Sequence, residues 1–295
     1  MSESKLNIEI FDKMKAAMLL PIRERSANKG SFGKALIIAG SEQYMGAGHL
    51  SLEAALRGGA GYVGYLNEAN ICDMALMKYP EAIYHRVSLA DIESVLDISR
   101  QYTSVLVGPG LGTSEQTARL VESLITSEGA TLIIDADGLN SISKFLGSWV
   151  FKSKKRDIII TPHPLEFARL IGKSDAHEVN ADRVELAASF ARECGITVLL
   201  KGKGTVVTDG ERVYINSSGS VALAKAGSGD VLAGLLVSLA AFMPIRFDAA
   251  LLSAFIHGYT ADVLSSELST FGVMPSDLPH TFAKTLCELE KAREI

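Results

Sequence analysis

Between residues 35 and 200 the chain alternates short apolar runs with longer mixed stretches. The runs at 35–39 (ALIIA), 62–66 (YVGYL), 104–107 (SVLV), 131–134 (TLII), 157–160 (DIII) and 197–200 (TVLL) have strand length and are rich in branched side chains. They are continuous rather than alternating, the pattern of parallel strands covered on both faces. Residues 46–57 and 69–79, after the first two runs, read as helices. Strand and helix in turn predict right-handed βαβ crossovers and a three-layer α/β/α fold with a mostly parallel central sheet.

After residue 200 the pattern changes. Residues 205–215 hold two strand-like runs around Asp209 and Gly210, the signal of a β-hairpin. Residues 231–242 are uncharged and apolar on every side, and Pro244 ends that helix. Falling short of the ~20 residues that span a bilayer, the run reads as a buried core helix. Two more helices are expected, from 248 to about 264 and from about 279 onward. No repeat or low-complexity stretch divides the chain, so one domain over 1–295 is the simplest expectation.

Polar and glycine-rich positions follow the strands. They are residues 40–48 (GSEQYMGAG), 108–112 (GPGLG), 135–140 (DADGLN), 161–164 (TPHP) and 201–205 (KGKGT). In open α/β sheets this rim, beyond the carboxyl ends of the strands, is where ligands bind. Residues 226–230 (AGSGD) add small side chains ahead of a helix. The amides of Gly227, Ser228 and Gly229 can converge there on an anion at the positive helix end. Asp230 then reads as a base for a neighbouring hydroxyl, or else as a plain helix cap.

The KGKGT turn is not a P-loop, because GxxxxGK[ST] is absent and no helix follows. Lys201 and Lys203 can neutralise phosphate while Gly202 and Gly204 let backbone N–H groups approach a nucleotide closely. The alternative is a solvated basic turn. Asp135 and Asp137 can hold a metal through water or cap the next helix. His163, between two prolines and just before Glu166, can meet a ligand hydroxyl or phosphate. A lone histidine is more often structural, and none stands at metal-ligand spacing. His257 reads as a packed helix residue that hydrogen-bonds locally.

Composition narrows the class. The chain of 295 residues is 47% hydrophobic, enough for a large core. A net charge of -5 and a pI of about 5.7 argue against nucleic-acid binding. Three scattered cysteines suit reduced thiols. The first residues carry no apolar signal-peptide core, so a cytoplasmic protein with no membrane partner is expected.

Taken together, these motifs resemble the NAD(P)H-hydrate dehydratase family of the ribokinase-like superfamily, over about residues 29–278. The resemblance rests on KGSFG (29–33), YMGA (44–47), AALRGGAG (54–61), GPGLG, DAD, TPH, KGKGT, AGSGD and His257-Gly258. GxGD alone says only ribokinase-like kinase, whereas the ordered set is far more specific. The resemblance implies repair of NADH or NADPH whose ring has added water at C6. ADP (or ATP) would phosphorylate that hydroxyl and phosphate would then leave, giving NAD(P)H, AMP and phosphate. It further implies Mg²⁺, a homotetramer, and an NAD(P)H-hydrate epimerase as functional partner.

Carried over by position, Asp230 would be the base and touch substrate. Lys201, Gly202, Lys203, Gly204, Thr205 and Gly229 would bind nucleotide. Ala47, Gly110 and His163 would line the hydrate pocket, and Gly227, Ser228 and Gly229 would form the anion hole. Metal ligands stay unassigned. An appended epimerase domain is not seen, which favours ADP as donor. Three positions depart from the family pattern: Leu165 for Gly, Ser220 for Asn and Lys225 for Thr. Leu165 bears on the loop after His163, and Lys225 would add charge near the phosphates. The rival readings are the ATP-dependent form, a vitamin or sugar kinase that stops at the phosphoryl ester, and a silent nucleotide sensor. The acid at 230 argues against the sensor.

Overall fold

Each of the six short apolar runs between residues 35 and 200 becomes a strand. In the computed structural model, which describes residues 7–293, the strands are β1 (Ile8–Phe11), β2 (Lys34–Ile38), β3 (Tyr62–Asn67), β4 (Ile83–Arg86), β5 (Ser104–Val107), β6 (Thr131–Ile134), β7 (Ile158–Ile160), β8 (Thr197–Leu200), β9 (Val206–Thr208) and β10 (Val213–Asn216). Among the described residues they form one sheet in the order β1-β10-β9-β8-β7-β6-β5-β2-β3-β4. All neighbours pair in parallel except at β9, which runs against both β8 and β10. The expected hairpin is therefore β9–β10, and it returns the chain to the parallel direction. The edge strands β1 and β4 (IEIF and IYHR) are short, mixed in polarity and largely solvent-facing, so they carry no continuous apolar signal.

The helices are α1 (Lys13–Leu19), α2 (Met45–Arg57), α3 (Ala69–Leu76), α4 (Ile92–Ser99), α5 (Glu115–Thr126), α6 (Asp137–Ser141), α7 (Pro164–Leu170), α8 (Ala176–Ala181), α9 (Arg183–Cys194), α10 (Ser228–Phe242), α11 (Arg246–Leu268) and α12 (Asp277–Arg293). They cover the sheet on two sides because alternate strand residues face opposite ways. Ala35, Ile37, Leu106, Ile133, Ile159 and Leu199 pack with α1, α2, α3, α10, α11 and α12. Leu36, Ile38, Val105, Leu132, Ile134 and Val198 pack with α4, α5, α6, α7, α8 and α9. The three expected layers are present. Among the described residues no helix is long and apolar enough to cross a membrane.

One packing contact governs the placement of the 226–230 turn. α10 lies backbone-close on α2, where a Cβ at Gly234 would stand 2.1 Å from the Ser51 carbonyl oxygen. The Ser51 hydroxyl donates to the Asp230 carbonyl at 3.0 Å, one helical turn away. Gly234→Ala is expected to push the helices apart and to cost about 1–3 kcal/mol, the usual range for overpacking a tight core. Urea denaturation of that variant checks the magnitude.

Candidate functional site

The strand order reverses between β5 and β2, the crevice where ligands of open α/β sheets lie. The turns after these two strands are locked together by the Gly40 N–H, which donates to the Pro109 carbonyl at 2.7 Å. Gly110, at φ +66°, brings its backbone against α2. A Cβ there would be 2.8 Å from the Ala47 Cβ and from the Tyr44 carbonyl. Ala47 and Gly110, distant in sequence, thus form one wall. On the other side Gly108 packs on the turn after β6, where a side chain would strike the Asp135 carbonyl.

Gly227, at φ +98°, is the N-cap of α10, and no side chain caps that end. Ser228, Gly229 and Asp230 make up its first turn; the Ser228 amide donates to the Lys225 carbonyl at 3.2 Å, and no side chain caps those of Gly229 and Asp230. Asp230 is therefore not the cap of this helix. Leu50 and Pro275 close on Gly227 from outside.

Charge concentrates beside this turn. The Lys201 ammonium donates to Asp135 Oδ1 at 2.8 Å and lies 3.9 Å from Glu166 Oε2. Its Nζ is 3.3 Å from where a Cβ on Gly229 would be, beside the cradle at the first turn of α10. Burial works to lower the ammonium, but Asp135 and Glu166 outweigh it and hold Lys201 above its ordinary value. Asp230 goes the other way: burial, then the negative charge of Asp135, raise its carboxyl to about 7 against the pull of Lys201. Burial likewise pushes Glu166 up to about 7, again against Lys201.

His163 serves as a helix cap. Its Nδ1 accepts from the Leu165 and Glu166 amides, while Glu166 Oε2 accepts from the His163 N–H at 2.8 Å. Nε2 is left 3.4 Å from Glu166 Oε1, and burial and Lys201 lower the imidazole so that it is neutral near pH 7. Structural and ligand-facing readings of His163 are thus compatible, because the two ring nitrogens are free for different tasks. The loop accepts Leu165 because position 165 takes ordinary helical geometry behind Pro164 and needs only its N–H.

Beside the cradle opens a chamber of about 1100 Å³, lined among others by Lys201, Gly204, Thr205, Ser220, Gly229 and His257. Lys203 is exposed at its rim. Arg183, which the sequence did not single out, props the 201–205 turn by donating to the carbonyls of Leu200, Lys201 and Lys203. Its only signal was a basic residue opening α9, far upstream of the turn.

The model of the family described as NAD(P)H-hydrate dehydratase matches residues 35–284. The chain belongs to the NAD(P)H-hydrate dehydratase family. A bifunctional NAD(P)H-hydrate repair enzyme of Thermofilum pendens is 35% identical over 99% of this chain but only 56% of its own length. The chain thus spans about half the length of such bifunctional relatives. An ADP-dependent (S)-NAD(P)H-hydrate dehydratase of Neisseria meningitidis is 34% identical over 82% of this chain and 80% of its own. The crystal structure of an ADP/ATP-dependent NAD(P)H-hydrate dehydratase from Bacillus subtilis, co-crystallised with ATP and Mg²⁺, superposes with a TM-score of 0.87. That match is at 26% identity and covers 96% of this chain and 99% of the other.

The surroundings of Lys225, His257 and Asp137 define their roles. Lys225 adds no charge at the cradle, because its ammonium turns away to the carbonyls of Phe271 and Val273 at 2.7 and 2.5 Å and straps the α11–α12 loop. His257 is packed on α11, as expected, and its hydrogen bond is to the backbone of Ser228 on α10. Its Nε2 is buried without a partner, and burial lowers the imidazole to about 4. The Asp137 side chain caps no helix. It accepts from the Gly112 amide at 2.9 Å and from the Thr113 hydroxyl at 3.2 Å, tying the DAD turn to GPGLG. Among the described residues no group of three or more His, Cys, Asp or Glu could hold a metal by itself. Ser220 keeps a polar role, its hydroxyl accepting from the Ala222 amide and from Ser265.

Because the folded carboxyl of Asp230 titrates near 7 rather than 3.8, the folded state takes up a proton that the unfolded chain lacks between those values. Its contribution to stability is full at low pH and is lost as pH rises through about 7. Asp230→Asn removes that loss. The variant should exceed the parent by about 1–3 kcal/mol at pH 8, allowing for partial solvent access, and lose the advantage by pH 4. Thermal melts across that range test the sign. Lys201→Met instead strands Asp135, only 1% exposed, and should cost roughly 3 kcal/mol. Part of that cost should return in the Lys201→Met, Asp135→Asn double variant.

Proposed function

We propose that this chain is an ADP-dependent (S)-NAD(P)H-hydrate dehydratase. The observation that carries this reading is Asp230, whose carboxyl titrates near 7 in the first turn of an uncapped helix that lines a nucleotide-sized chamber through Ser228 and Gly229 and packs on α2, the helix that carries Ala47. A phosphoryl group needs the amides of Gly227, Ser228 and Gly229, and a hydroxyl acceptor needs a base beside them. Lys201, Gly202, Lys203, Gly204, Thr205 and Gly229 would hold the donor. Ala47, Gly110 and His163 would flank the hydrated ring.

The acceptor's C6 oxygen attacks the terminal phosphorus as Asp230 takes its proton, and the phosphorus–oxygen bond to AMP breaks. The ring nitrogen's lone pair then expels phosphate from C6. Loss of a proton from C5 restores the dihydropyridine. Phosphorylation is what makes the dehydration feasible, since hydroxide is a poor leaving group and phosphate a far better one. Lys201 keeps the cradle positive while charge shifts to the departing AMP.

Magnesium fits as an ion carried by the donor's phosphates, with Asp135 and Glu166 as oxygen donors beside Lys201, the cation that both already face. When bound it would neutralise phosphate charge. ADP rather than ATP is supported by the donor named for the Neisseria relative, and the Bacillus structure's name keeps ATP as the alternative. The same reading includes a cytoplasmic homotetramer acting with an NAD(P)H-hydrate epimerase.

Mixing the protein, ADP, Mg²⁺ and hydrated NADH should restore the absorbance of reduced nicotinamide with release of AMP and phosphate. A phosphorylated hydrate that accumulates without that recovery would favour a kinase. Turnover should rise with pH through about 7, as Asp230 ionises. Asp230→Asn should lose about 10²–10⁴ in rate while ADP still binds.

A further inference from the structure

A second chamber, of about 250 Å³, opens on the same rim at the ends of β2, β3 and β5. Gly40, Asn67 and Leu111 line it, and its charged lining residues are Glu42 and Glu68. Neither acid is ion-paired among the described residues. Glu42 accepts from Asn70, and Glu68 from the Ser88 hydroxyl and the Leu89 amide. Leu111 and Gly40 flank the locked turns that carry Gly110, so the chamber continues outward from the Ala47–Gly110 wall.

Between the two lies the N-terminus of α2. Its N-cap, Tyr44, offers no side-chain hydrogen bond, and beside Gly46 there is open space within 4 Å of any added Cβ. An uncapped helix start at the strand-order reversal suits a diphosphate. Three inter-strand steps separate β6, which leads into Asp135, from β3, which ends at Asn67. At ~4.8 Å per step that is about 14 Å, the order of an extended dinucleotide.

We propose that the acceptor dinucleotide lies across this reversal, with its diphosphate at the start of α2 and its adenosine in the second chamber. There Glu42 and Glu68 select a free ribose 2′-hydroxyl over a 2′-phosphate. This rests on the dehydratase reading and deepens it: the NADH hydrate is the preferred substrate and the NADPH hydrate the poorer one. Like charges within the ~10 Å Debye length at 0.1 M salt repel, so the discrimination is electrostatic and fades as salt rises.

The test uses the reaction products, whose own fluorescence reports binding, with ADP saturating the donor chamber. NADH should bind at least tenfold more tightly than NADPH at low salt. Glu42 is exposed, so Glu42→Lys keeps the fold. That variant should narrow the ratio at least threefold by tightening NADPH, with NADH moved less than twofold. Equal dissociation constants in the parent, or a ratio unchanged by Glu42→Lys, overturns the subsite. Turnover of both hydrates on the same preparations separates the two claims. An NADH preference that persists without turnover of either hydrate overturns the dehydratase reading and leaves the subsite standing.

Discussion

One buried ammonium sets the electrostatics of the rim. Lys201 faces Asp135 and Glu166 directly and also feels Asp230. With one cation among three carboxylates in a poorly solvated space, not all three can ionise cheaply. Asp135, in direct contact, takes the cation, while Glu166 and Asp230 are left with carboxyls near 7. A carboxyl near 7 is what a base working at neutral pH requires. The raised carboxyl of Asp230 thus follows from burial and from the neighbouring charge of Asp135, which Lys201 only partly offsets. Arg183 fixes the turn that carries Lys201 by donating to the carbonyls of Leu200 and Lys201.

Backbone proximity brings these groups together. At Gly108, Gly110 and Gly234 a single Cβ would strike a carbonyl oxygen or a packed side chain of another element. These contacts draw the turns after β2, β5 and β6, and the start of α10, into one crevice. The fold therefore spends its small residues where chains must touch, and its charged ones where they then converge. Ala136 shows a related constraint. Between Asp135 and Asp137 it adopts φ +48°, a conformation that L side chains rarely take, and so aims the two acids in different directions. Asp135 points to Lys201, and Asp137 to the GPGLG turn.

Much of the architecture was legible along the chain. The six apolar runs and the turn at Asp209 and Gly210 correspond to β2, β3 and β5 to β10, because strands covered on both faces must be continuously apolar. The edges β1 and β4 escaped because a half-solvated strand need not be apolar. Within the site, the motifs located the turns but left the partners of each side chain open. Lys225 illustrates the limit. By position it belonged with the phosphates, yet two carbonyls at Phe271 and Val273, over forty residues away, claim its ammonium. Arg183 and Ser51 were missed for the same reason, since each acts on a turn remote in sequence.

By itself, then, the sequence determined the family, the layered fold and the set of turns that carry the chemistry. Those depend on local periodicity and on short ordered motifs. Only the tertiary structure decided which carboxylate pairs with Lys201, which stay poised near neutrality, and which lysine leaves the site. These outcomes depend on burial and on distances between residues far apart in the chain, and no local pattern records either.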